Sequence, residues 1–160
     1  MSTPQLVLYE QELSRLAAVC ASLQAGTDAR AVILVDKNGQ FIASHGDVTG
    51  FDTTSLASLT AGNMASTQGL AKLIGEAEFP SVFHEGKNES LLLSVVASQA
   101  ILVVMFDQRT TLGLVRLRVK KAKPVLDSIF EAIDKKASMG RAQTPFAQIT
   151  DDDIDNLFGR

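Results

Sequence analysis

The chain has 160 residues, 46% of them hydrophobic, and a formal net charge of −3. That length fits one domain of ordinary size with a tail, and the slight acidity excludes an electrostatic nucleic-acid binder. Cys20 stands alone, which excludes a disulfide framework and a cysteine-based metal cluster.

The first residues, MSTPQLVLYEQE, lack the basic and apolar regions of a signal peptide, and no apolar run reaches membrane-spanning length. The cytoplasm is therefore the expected compartment. Residues 10–25 carry Leu13, Leu16, Ala17, Cys20 and Leu23 at helical spacing. Gly26 is a plausible stop, and Cys20, on the apolar stripe, reads as a core thiol. The run Ala31-Val32-Ile33-Leu34-Val35 is short and rich in β-branched residues, as in a central strand. Asp36-Lys37-Asn38-Gly39 then signals a hairpin, with residues 40–44 as the return strand.

Residues 54–75 predict a helix with two unlike faces. Asp52 or Thr53 can cap it, and Gly75 can close it in a left-handed turn. Leu56, Leu59, Leu70, Leu73 and Ile74 fall on one side and read as a core stripe. The opposite side holds Ser58, Ala61, Gly62, Ala65 and Gly69, is uncharged until Lys72, and takes in Gln68. A merely solvated face would be filled with Lys and Glu. Gly62 and Gly69 each cost the helix roughly 1 kcal/mol against Ala, so something must cover this face: either another part of the same domain or a partner.

Residues 81–85 form a short strand suited to a sheet edge. Residues 90–97 and 100–106 are strongly apolar and make a second hairpin joined at Ser98-Gln99. From 110 to 137 the spacing of Leu112, Val115, Val119, Ala122, Leu126, Ile129, Phe130 and Ile133 is helical, and Pro124 predicts a kink or restart near Lys123. Residues 1–137 thus read as one domain and 138–149 as a flexible linker. Residues 150–160 read as a short amphipathic helix. Asp151, Asp152 and Asp153 fit its first turn, and Ile154, Leu157 and Phe158 sit at i, i+3, i+4. The order α-β-β-α-β-β-β-α implies an α+β fold with a five-stranded antiparallel sheet between helices.

Catalytic motifs are missing. His45 and His84 have no ligand-like spacing around them, and there is no phosphate-binding G-x-x-x-x-G-K-[ST] loop or G-x-S-x-G turn. Asp36-x-Asn38-Gly39 resembles the start of a calcium loop but lacks the later Glu ligand. No catalytic residue, cofactor or metal is expected; the residues describe an interaction module.

Three segments carry a specific resemblance: VILVDKNGQFIAS, DTTSLASLTAGNMASTQGLAKLIGE and VVMFDQRTTLGLVRLRVKKA. They resemble the Roadblock (dynein light chain) domain family over about residues 8–136. FHEG and the tail PFAQITDDDIDNLF are similar to the bacterial branch of that family that acts on Ras-like GTPases of the MglA type. The resemblance implies a homodimer in which helix 54–75 lies beside its symmetry mate and the third strand pairs with its own copy. It implies that one GTPase docks on the paired-helix face, two chains per GTPase. The activity it implies is GTPase activation that positions the GTPase's own catalytic residues; Arg109, the natural candidate for an arginine finger, would not serve as one. It further implies that Ile154, Leu157 and Phe158 bind the GTPase and influence nucleotide exchange. The biological setting it implies is cell polarity and gliding motility, with concentration at a cell pole and no membrane insertion. A non-catalytic Roadblock scaffold is the alternative, and a small-molecule sensor or enzyme on a similar sheet is a third class.

Overall fold

The computed structural model describes residues 9–143. Its elements are α1 (Glu10–Thr27), β1 (Ala31–Asp36), β2 (Phe41–Gly46), α2 (Thr53–Leu73), β3 (Ser81–His84), β4 (Ser90–Val96), β5 (Ala100–Phe106) and α3 (Leu112–Gln143). The strands form one antiparallel sheet in the order β2-β1-β5-β4-β3. Both hairpins, the element order and the α+β class follow the sequence expectation.

β1 and β5 are buried along their whole length, as continuous apolar central strands should be. Alternate side chains divide the core between the two faces of the sheet. Val32, Leu34, Leu102 and Val104 meet Leu16, Cys20, Leu126 and Phe130 of α1 and α3. Ile33, Val35, Ile101 and Val103 meet Ala57 and Met64 of α2. Each fully buried Leu or Phe in this core contributes about 1.5–3 kcal/mol.

Local chemistry sets the turns. The buried Asp36 carboxylate accepts from the backbone N–H groups of Asn38 and Gln40, both at 2.9 Å, and Gly39 takes φ +93°. The β4–β5 turn lies one residue earlier than the sequence suggests. Ala97 and Ser98 take φ of 54° and 57°, and the Gln99 N–H donates to the Val96 carbonyl at 3.1 Å.

α1 does not stop at Gly26. It continues to Thr27 and closes with Asp28 in the left-handed region at φ 54°. The Arg118 side chain of α3 lies 3.7 Å from where a Cβ would stand on Gly26, so this glycine makes room for a neighbouring helix. α3 shows no restart at Pro124. Val119 on one side of the proline and Leu126, Ile129 and Phe130 on the other are buried, and that packing offsets the lost hydrogen bond. The helix also runs through residues 138–143, which the sequence reading assigned to a linker. Met139, Arg141, Ala142 and Gln143 are good helix formers, and an existing helix extends at little cost. The remainder of the expected linker and the expected helix at 150–160 lie outside the described residues.

The larger correction concerns α2. Its start and end are as expected: Asp52 accepts from the Thr54 N–H at 3.1 Å and from the Ser55 hydroxyl at 2.8 Å. At the other end the Glu76 N–H reaches the Ala71 carbonyl and the Gly75 N–H the Lys72 carbonyl, with Gly75 at φ +82°. The face turned to the sheet, however, consists of Ala57, Thr60, Met64 and Ala71. Leu59, Leu70, Leu73 and Ile74 are not core residues; they are 74%, 59%, 82% and 69% exposed. Only Leu56 of the expected stripe packs on the core. Small inward side chains let α2 approach the β1–β2 hairpin closely: a Cβ on Gly39 would stand 3.3 Å from the Ser58 Cα.

Candidate docking face

The outward surface of α2 combines two sets of residues that the sequence reading kept apart. Ser58, Gly62, Ala65, Gly69 and Lys72 are exposed, and Ala61 is half-buried beside the β1–β2 turn. A Cβ built on Gly62 or Gly69 would meet nothing within 4 Å among the described residues. Positions 59, 62, 66, 70 and 73 follow one another at three- and four-residue steps, so Leu59, Leu70 and Leu73 share an outward arc with Gly62 and Ser66. The result is a helix face of exposed leucines flanked by vacant glycine positions. Among the described residues, no other part of the chain buries Ser58, Gly62, Ala65 or Gly69.

Gln68 has a different task. Its side chain donates to the Phe79 carbonyl and accepts from the Phe79 N–H, both at 3.0 Å. It ties α2 to the segment leading into β3. β3 pairs with β4 on one side only and leaves its other edge open among the described residues. Ser81, Val82 and Phe83 are half-buried there.

At the opposite end of the β1–β2 hairpin sits a hub that sequence reasoning missed. The Arg30 guanidinium donates to both oxygens of Glu89 at 2.9 and 2.8 Å and to the Thr49 carbonyl at 2.6 Å. It also lies 3.6 Å from Asp47 and 5.7 Å from the Phe51 ring centre. Arg30 thereby joins the β2–α2 connection to the β3–β4 turn and fixes where α2 begins. The only sequence signal for it is a lone cation before an apolar strand. Glu89 beside it raises its pKa.

Arg109 is exposed and donates to Asp107 at 3.1 Å. That pair raises the arginine's pKa, and the Asp107 carboxyl falls below its ordinary value through the Arg109 backbone and side-chain hydrogen bonds. Both His45 and His84 are exposed. No group of three His, Cys, Asp or Glu is placed to hold a metal among the described residues. No helix among them is long and apolar enough to cross a membrane. Ile154, Leu157 and Phe158 lie outside the described residues.

The Roadblock/LC7 domain family matches residues 13–106. The chain belongs to that family. Within this Roadblock family it is similar to MglB from Myxococcus xanthus, with 58% identity over 80% of this chain and 96% of that chain, and a TM-score of 0.75. The gliding protein MglB of Thermus thermophilus is 36% identical over 82% of this chain and 99% of its own, with a TM-score of 0.74. An MglB solved in a tetrameric arrangement is 35% identical with the same coverage and TM-score. A Roadblock/LC7 domain from Streptomyces avermitilis, 17% identical with a TM-score of 0.59, shares the fold. Among curated proteins, none matches significantly. The chain is thus a Roadblock-domain protein of the MglB type, and its α2 face is a surface of that fold.

Proposed function

We propose that this chain is a homodimeric activator of a Ras-like GTPase of the MglA type. The observation that carries the proposal is the exposed face of α2, on a chain 58% identical to an MglB. Leu59, Leu70 and Leu73 stand in water at an energetic cost unless a second surface covers them. The open edge of β3 gives the same argument for strand pairing between copies. In this reading two copies place their α2 helices side by side. One GTPase docks on the composite face, contacting Ser58, Ala61, Gly62, Ala65, Gly69 and Lys72; Gln68 holds that face to β3.

Activation follows from differential binding. The chain must bind the hydrolysis-competent arrangement of the GTPase's mobile loops better than the relaxed one, and so shift the population toward it. It supplies no catalytic group. Arg109 is engaged by Asp107, which supports a role in the β5–α3 loop in place of an arginine finger. Ile154, Leu157 and Phe158 form a second, tethered contact that modulates nucleotide exchange. The cellular role in this reading is control of polarity and gliding motility, with the protein concentrated at a pole.

The test is co-elution of the full chain with a purified MglA-type GTPase loaded with a non-hydrolysable GTP analogue or with GDP. An activator binds the GTP form preferentially, in a complex of two chains per GTPase. Equal binding to both forms would favour the scaffold reading and remove the activator.

A further inference from the structure

We propose that the groove between α1 and α3 is the docking site for the chain's own acidic C-terminal segment, residues 150–158. The groove lies on the far side of the sheet from α2 and is lined by Val19, Ser22, Leu23, Arg118, Lys121 and Val125. Val125 is 49% exposed. Arg118 and Lys121 are exposed and enter no ion pair among the described residues. They belong to a run of five cations between 116 and 123: Arg116, Arg118, Lys120, Lys121 and Lys123.

Of these five, Arg118 and Lys121 stand on the groove side of α3, whereas Arg116, Lys120 and Lys123 fall about half a turn away, on the side that also carries every α3 carboxylate. At 100° per residue, Asp127, Glu131 and Asp134 stand roughly half a turn away from Arg118. They face the β4–β5 turn, where Asp134 accepts from Gln99 at 2.7 Å. The groove side is therefore left cationic and apolar. The only segment of the chain with the converse pattern is residues 150–158, TDDDIDNLF. Asp151, Asp152, Asp153 and Asp155 accompany Ile154, Leu157 and Phe158 at i, i+3, i+4. Apolar anchors meet an apolar floor, and four carboxylates meet an unpaired basic rim.

The tether is long enough. α1 and α3 run antiparallel, Glu12 meeting Lys136 while Gly26 meets Arg118. Lys121 lies about 33 Å back along α3 from Gln143. Residues 144–149, if drawn out, would return about 20–25 Å of that distance, and residues 150–158, in the helix that the sequence predicts, would add about 13 Å. The aspartates then draw level with Val125 and the Lys121 end of the basic run, and Leu157 and Phe158 reach the stretch between Lys121 and Arg118. Because the segment is tethered, the contact is intramolecular and does not weaken on dilution. While docked, the tail is withheld from any partner; the docking itself does not depend on the GTPase assignment.

The test uses the full chain alone, with Asn156→Cys carrying a nitroxide label and backbone amides observed by NMR. The expected result is loss of at least about half the signal at Val19, Ser22 and Val125, unchanged on dilution as for an intramolecular contact. Arg118→Glu with Lys121→Glu restores that signal, as does about 0.5 M salt, where screening shortens to about 4 Å. Arg118→Lys with Lys121→Arg keeps the loss. The proposal is overturned by intact groove signals, by broadening elsewhere only, or by broadening that survives charge reversal. It is also overturned if the loss arises only between labelled and unlabelled copies in a mixed sample.

Discussion

Replacing Gly62 and Gly69 together by alanine separates stability from association. Each added methyl enters space with no atom of the described residues within 4 Å, and both residues sit in the helix interior. The chain alone should gain about 0.5–1 kcal/mol per substitution. For a domain of this size the pair raises the melting temperature by roughly 3–8 °C. A covered face behaves the opposite way. A backbone packed against the glycines must move to admit two methyls, and overpacking costs typically 1–3 kcal/mol, a roughly 5–150-fold loss of affinity. Melting at low protein concentration reads the first effect; sedimentation and co-elution with the GTPase read the second. A variant that melts higher, yet self-associates and binds the GTPase as the parent does, would refute the assignment of this face to contact.

Three further outcomes follow from the packing and titration. Leu34→Ala should cost about 2–5 kcal/mol in urea unfolding, whereas Leu59→Ala in the dissociated chain should stay within about 0.5 kcal/mol; comparable losses would restore Leu59 to the core. The buried Glu12 carboxylate meets Lys136 at 2.6 Å and is held below its ordinary pKa chiefly by that hydrogen bond. Its contribution is present above the unfolded carboxylate range and lost as pH falls through the folded value, so Lys136→Met should melt lower at pH 7 and lose less on acidification, with parallel melting curves from pH 7 to 3 contradicting this. Burial pushes the Cys20 thiol up to about 12, so a thiol reagent at pH 8 should label it only on unfolding; rapid native labelling would place it at the surface.

Much of the fold was legible because local rules and packing agree. Asn38-Gly39 set one hairpin, Asp52 and Gly75 bounded α2, and the apolar runs of β1 and β5 marked the centre of the sheet. The faces of α2 were not legible. Hydrophobic periodicity locates a stripe but carries no label for what covers it, and the core here accepts Ala57, Thr60 and Ala71 while the leucines point outward. Composition alone misplaced the end of α3 for a related reason: residues 138–143 lack an apolar stripe, yet helix extension needs none. Gly26 and Pro124 look like punctuation in one dimension, and packing between α1, α3 and the sheet overrides both. The Arg30 hub joins residues far apart in sequence, so no local pattern announces it.

The central claim is tested most directly by phosphate release from an MglA-type GTPase under multiple turnover, with and without the full chain. The account predicts faster release with the chain, the same acceleration with Arg109→Ala, and none with Ala65→Arg and Gly69→Arg combined. Unchanged release in the presence of a chain that demonstrably binds the GTPase would contradict it.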